Sequence, residues 1–138
     1  MAEMKIRVRQ VGPSTSEATI REHKVLVDRP EAKGGGDEAP MGGEYFLVAV
    51  GGCFMSTMLA AIRAREAAVS DVEALVTGTL ADSPTRFTSI SLEVTADCAD
   101  SDLLERLVRI AENGCIMVTT LKRGVDFRVS VGSPDLVQ

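Results

Sequence analysis

The 138-residue sequence contains no tryptophan, one tyrosine, four phenylalanines and one histidine. Aromatic platforms for stacking bases are therefore scarce. Fifteen basic residues against twenty acidic ones leave a net charge of −5, so the clustered cations that displace counterions from a phosphate backbone are missing as well. Both shortages exclude a nucleic-acid surface. His23 is the only imidazole, and the three cysteines, Cys53, Cys98 and Cys115, show no CxxC spacing, so no metal site is expected. The stretch Met4-Lys5-Ile6-Arg7-Val8-Arg9 alternates, without the charged-then-apolar order of a secretory leader. An odd number of cysteines in such a chain reads as free thiols in a reducing, cytoplasmic setting rather than a disulfide scaffold.

What the chain does have is one long uncharged run. Gly42 to Arg65 reads GGEYFLVAVGGCFMSTMLAAIRAR, with no charge from Tyr45 to Ile62. About 20 apolar residues can cross a bilayer as a helix. A helix apolar on every side can equally be the buried axis of a globular fold. Strand patterns flank the run on both sides, and a quarter of all residues are charged. These favour the buried axis, with no membrane contact. The length predicts a single domain over residues 1–138.

Taken in order, Lys5 to Val11 alternates with Ile6 and Val8 on one face, which predicts a half-buried strand. Gly12 to Ser16 is a turn, and Ala18 to Val27 is extended, two strands if the polar Arg21-Glu22-His23-Lys24 breaks it. A loop from Asp28 to Gly43 holds Pro30, three consecutive glycines at Gly34 to Gly36, and Pro40. Loops this long are commonly functional or mobile. After the central helix, Val72, Ala74, Val76 and Leu80 share a strand face, and Asp82 to Thr85 reverses the chain into an antiparallel neighbour. There Ile90, Leu92, Val94 and Ala96 face inward, and the clean alternation implies one wet face. Asp100 to Asp102 offers caps for a second helix, with Leu103, Leu104, Leu107, Val108 and Ala111 on one side and Asn113-Gly114 as its expected C-cap. A short helical turn should follow Cys115, and Val125, Phe127, Val129 and Val131 should form a closing strand. The pattern is α+β.

Each cysteine has a plain reading as packing, because free cysteine is among the most buried residue types. Cys98 continues the parity of Ile90 to Ala96 and fits a core position or a strand end. Cys53 follows Gly51-Gly52, two residues that each cost a helix about 1 kcal/mol relative to alanine. Close approach of another backbone, or of a substrate, would account for them. Cys115 lies between two helical segments, where free N–H groups at a helix start can depress a thiol pKa. Packing and function stand level for Cys53 and Cys115 on these grounds.

The segment Pro40-Met41-Gly42-Gly43-Glu44-Tyr45-Phe46-Leu47-Val48-Ala49-Val50-Gly51-Gly52-Cys53 resembles the central-helix signature of the OsmC/Ohr family, the osmotically inducible and organic-hydroperoxide-resistance proteins. Ala111 to Leu121, with Cys115 inside it, is similar to the stretch around the family's second cysteine. The resemblance covers nearly the whole chain. It implies an OsmC-like fold, with antiparallel sheets packed around a long buried central helix plus a second helix. It also implies an intertwined homodimer with sites at the subunit interface. The implied activity is a thiol peroxidase without metal or organic cofactor. Cys53 would attack an organic hydroperoxide and become a sulfenic acid, and Cys115 would resolve it to a disulfide. A cellular dithiol, of lipoyl or thioredoxin type, would reopen that bond.

The family places an arginine and a glutamate beside the reactive cysteine. Glu44 matches the acidic position, and Arg29, in Asp28-Arg29-Pro30, is the best match for the arginine, with Arg21 the weaker candidate. Nine residues of helix between Glu44 and Cys53 rise about 13.5 Å, so a bend at Gly51-Gly52 or a bridging arginine would be needed. Ile116 stands where family members often have proline after the second cysteine. Met55, Met58 and Met117 would suit a bulky apolar substrate or serve as core filling. A non-catalytic binder of apolar ligands and a redox sensor are the other functions the same scaffold would allow.

Overall fold

The computed structural model describes residues 1–133, which fall into two compact units. One comprises Met1–Tyr45 with the described residues from Phe127 to Ser133, the other Phe46–Asp126. In the first, β1 (Arg7–Gln10), β2 (Ser16–Ile20) and β3 (His23–Val27) form an antiparallel sheet in that order. The polar break does divide the second extended run. Arg21 takes a positive φ of 55° at the reversal, and Ile20 pairs with His23 across it. Val8, Ala18 and Val25 lie in one row across the three strands, yet only Ala18 is buried. Ile6 and Val8 are exposed, so β1 is not the half-buried strand its alternation predicts. Alternation defines two faces; it does not provide cover for either.

The second unit is held by apolar contact. α1 (Gly42–Ala64) begins at the end of the first unit and continues without a break through Gly51 and Gly52. It buries one stripe, Val50, Gly51, Phe54, Met58 and Ala61, at the three- and four-residue steps that keep side chains on one helix face. Val48 and Leu59 remain exposed. The helix is long and apolar enough to cross a membrane, but its buried stripe packs in the core of this unit.

β4 (Ser70–Ala81) and β5 (Arg86–Asp97) form an antiparallel pair whose half-buried positions, Val72, Ala74, Val76 and Gly78 facing Ile90, Leu92 and Val94, follow the predicted alternation. Leu80 departs from it. The register shifts between Thr79 and Leu80, and beyond that irregularity Leu80 is exposed. Gly78 makes room for the Phe87 ring, which a Cβ would meet at 2.5 Å, and Phe87 stacks on Phe46 with centroids 5.8 Å apart.

α2 (Ser101–Gly114) starts at Asp100, whose carboxylate accepts from the N–H groups of Asp102 and Leu103. Leu107 and Ala111 carry its buried face onto Phe54, Met58 and Ala61. Its end differs from the expected glycine cap. Gly114 is the last helical residue, and Cys115 breaks the helix in an extended conformation. α3 (Ile116–Arg123) then restarts it. The expected closing strand over Val125 to Val131 is absent among the described residues, and its four apolar side chains are exposed. The alternating pattern marks potential faces but cannot supply the adjacent backbone that makes a strand.

Candidate redox site

Cys53 sits on the shoulder of the buried stripe of α1, between Val50 and Phe54, and is half-buried. Cys115 is at the corner between α2 and α3, enclosed completely in the same apolar cluster. Two features bring the corner to the helix. Gly114 lets α2 approach α1 one turn beyond Cys53, where a Cβ would meet the Thr57 methyl at 3.1 Å. The Cys115 carbonyl accepts the first hydrogen bond of α3, from Thr119 at 3.0 Å, leaving the N–H groups of Ile116, Met117 and Val118 without partners inside their own helix. Residues 62 apart in sequence thus become neighbours, all three cysteines being free thiols.

The two thiols of this pair are tuned in opposite directions. Burial pushes the Cys53 thiol up, but the Met117 N–H, the Cys115 thiol and the Ile116 N–H together outweigh it and leave Cys53 below the ordinary thiol value. Burial also pushes Cys115 up. There the Val118 and Met117 N–H groups do not compensate, and the Cys53 sulfur adds to the rise. The sequence predicts that a helix start would favour a thiolate at Cys115; in the structure the N–H groups of α3 lower both thiols, and only at Cys53 do they prevail. The helix start faces a sulfur on another helix, while Cys115 itself is wholly withdrawn from solvent.

The paired glycines have separate explanations. A Cβ on Gly51 would meet the Val76 methyl at 2.7 Å, so Gly51 allows α1 onto β4. Gly52 has open space around it and lies with Val48 and Met55 along an open groove of about 440 Å³. On the other side of the helix an apolar cavity of about 270 Å³ lies among Val50, Phe54, Leu92, Val108 and Val118. Glu112 and Lys122 are its charged lining, joined at 2.6 Å. No spacing rule in the sequence anticipates this cavity, since its walls come from four separate elements. Met58 is fully buried core and Met117 packs on the same cluster, while Met55 borders the groove.

Arg29 and Glu44 belong to the first unit. Glu44 is in the first turn of α1 and accepts from the Met41 N–H at 2.9 Å, half of a reciprocal helix cap. Arg29 is exposed, and among the described residues no ion pair joins it to Glu44. Arg21 lies at the tip of the β2–β3 reversal. Cys98 follows β5 directly and donates to the Asp100 carbonyl at 3.1 Å, consistent with a strand end.

The residue that sequence reasoning missed is Asp28. Only 2% exposed, it organises the loop that carries Arg29. Its carboxylate accepts from the N–H groups of Glu38 and Arg29 at 3.0 and 2.7 Å and from the Thr15 hydroxyl at 3.1 Å. These bonds, the Glu38 N–H foremost, hold its pKa down to about 2. Below it Gly35 packs so tightly that a Cβ would meet the Arg29 carbonyl oxygen at 2.0 Å. An aspartate flanking a long Gly/Pro loop was the available signal.

The family described as OsmC-like protein matches residues 34–130, more than half of the chain. Nothing among curated proteins matches. Among solved structures, a hypothetical protein from Aquifex aeolicus VF5 superposes with a TM-score of 0.75 at 14% identity, over 91% of this chain and 92% of the other. An organic hydroperoxide resistance protein OsmC from Legionella pneumophila gives 0.68 at 16%, over 88% and 90%. The organic hydroperoxide resistance protein OhrB of Bacillus subtilis gives 0.62 at 18%, over 91% and 94%. At these identities the likeness is one of fold.

Proposed function

The chain belongs to the OsmC-like family, and we propose that it is a thiol peroxidase acting on organic hydroperoxides. The observation that carries this reading is the Cys53–Cys115 pair, one thiol depressed and half-buried, the other raised and enclosed beside it. The Cys53 thiolate attacks a peroxide oxygen, the O–O bond breaks, and the alkoxide leaves to take up a proton as the alcohol. Cys53 is then a sulfenic acid. The Cys115 sulfur displaces its hydroxyl as water, and a disulfide forms. A cellular dithiol reduces that bond by exchange, returning both thiols and leaving as its own disulfide.

The apolar cavity beside Val50 and Phe54 favours a substrate with a hydrocarbon group over hydrogen peroxide. In this reading Arg29 supports the thiolate and polarises the peroxide, and Glu44 orients Arg29. Two copies form an intertwined dimer in a reducing cytoplasm, covering apolar side chains such as Ile6, Val8 and Val48 that one copy leaves exposed. Titrating the reduced protein with one equivalent of an organic hydroperoxide, and separately with hydrogen peroxide, tests the reading. Rapid loss of two thiols and a Cys53–Cys115 linkage by peptide mass spectrometry, faster with the organic reagent, is expected. Survival of all three thiols would end the peroxidase reading and favour an apolar-ligand binder.

A further inference from the structure

The Glu112–Lys122 ion pair joins α2 to α3 across the corner that holds Cys115. Its Nζ–Oε2 distance is 2.6 Å, although the Lys122 side chain is 63% exposed and that of Glu112 44%. An ion pair this open to water adds little to folding stability. Its position is more informative than its strength. Glu112 lies three residues before Cys115, and Lys122 lies one residue before the end of α3. The pair therefore ties the far end of α3 to α2 while Cys115 joins the near end. At that near end, Gly114 rests on Thr57 of α1, and the Ile116 and Met117 N–H groups face Cys53. A short helix fixed at both ends cannot swing its first turn away from the sulfur.

We infer that Glu112 and Lys122 are positioning residues for Cys53, their ion pair holding the amino end of α3 against the Cys53 sulfur. Neither touches the sulfur. The groups that act on it are the Met117 and Ile116 N–H groups and the Cys115 thiol, and no charged side chain is among them. The pair works through the orientation of backbone dipoles, whose effect falls off within one turn of a helix end. This rests on Cys53 being the reactive thiol, but it does not require that a peroxide be the substrate.

The test is therefore alkylation rather than turnover. Iodoacetamide reaction at Cys53 would be followed by peptide-resolved mass spectrometry from pH 6 to 10 in the wild type, Glu112→Gln, Lys122→Gln, Lys122→Arg and the charge-swapped Glu112→Lys/Lys122→Glu protein. Loss of the pair should slow Cys53 alkylation roughly two- to fivefold at neutral pH, the worth of a helix-end interaction. At high pH, where the thiol is fully ionised, the rates should converge. Lys122→Arg and the charge swap should recover the wild-type profile. Glu112→Gln separates orientation from simple Coulomb effects. Removing a negative charge alone would speed alkylation, whereas releasing α3 slows it. Unchanged or faster neutral-pH alkylation in Glu112→Gln, or equal slowing at every pH, overturns the inference. Should one single variant fail to fold, the other still decides, with the charge swap as its control: slowing in the single variant that the swap restores supports the inference, and wild-type rates in both overturn it. A protein that alkylates as expected yet ignores hydroperoxides would overturn the peroxidase reading and leave this one standing.

Discussion

The two regions that carry the proposed site residues are built by opposite means. The cluster around Cys53 and Cys115 is closed by apolar contact among Phe54, Met58, Leu107 and Ala111, all buried. The loop that carries Arg29 buries no large apolar side chain and is organised around one carboxylate, Asp28, with backbone and hydroxyl donors on it. Apolar packing is indifferent to pH and sensitive to volume. A hydrogen-bonded carboxylate is the reverse: it tolerates nearby changes of shape better than the loss of its charge. One protein thus keeps its thiols in a setting that volume controls and Arg29 in a setting that protonation controls.

That contrast can be broken most forcefully at Leu107, which is fully buried. Leu107→Ala should cost about 2–5 kcal/mol in denaturant unfolding, and it should raise Cys115 reactivity by opening its enclosure. A loss near zero would show that the cluster is not the seat of stability. Next comes Gly51→Ala, whose methyl must displace Val76. We expect a loss of about 1–3 kcal/mol, recovered in part by Val76→Ala in the same chain. Gly52→Ala is the control, since nothing stands near it in one copy and the helix gains about 1 kcal/mol from alanine. If Gly52→Ala instead destabilises the protein or splits a dimer, a second copy packs on that groove.

The smallest effect on global stability, and the sharpest on the contrast, is expected from acid. Asp28 is depressed from 3.8 to about 2, so its contribution is complete above about pH 4 and is lost as pH falls through 2. Amide exchange at Arg29 and Glu38 should accelerate across that window while amides around Leu107 stay protected. Asp28→Asn should abolish the acid-dependent step and show fast exchange at neutral pH. Equal protection in variant and wild type would mean that the loop is held by something other than the carboxylate.

Much of this was legible in the residues. Period-two runs located β4 and β5 and their inner faces, Asp100 announced the start of α2, and the break after Gly114 placed Cys115 at a corner. The loss of parity at Leu80 was not legible, because a register irregularity is decided by the partner strand. Nor was the exposure of Ile6 and Val8, because a pattern specifies a face and not what covers it. At the candidate site, the sequence supplied both cysteines and the helix start beside Cys115, but not that its N–H groups also reach Cys53 and prevail only there. Which sulfur an N–H group faces depends on the approach of α2 to α1 at Gly114 and Thr57, a contact between residues 57 apart in the chain. The role of Asp28 was not legible for a similar reason. Its partners Thr15 and Glu38 lie 13 and 10 residues away, and only the folded loop collects them.

The complete enclosure of Cys115 has a further meaning for the order of events. A sulfur with no surface cannot be the first atom a solute meets, and its raised pKa keeps it protonated until something changes beside it. Its electrons are in effect a sealed reserve with a single outlet. In the proposed cycle the reserve is drawn only through Cys53, after that residue has reacted. In that reading the enclosed thiol is kept from being spent on the wrong reagent, and of the pair it is the half-buried sulfur on α1 that meets oxidant first.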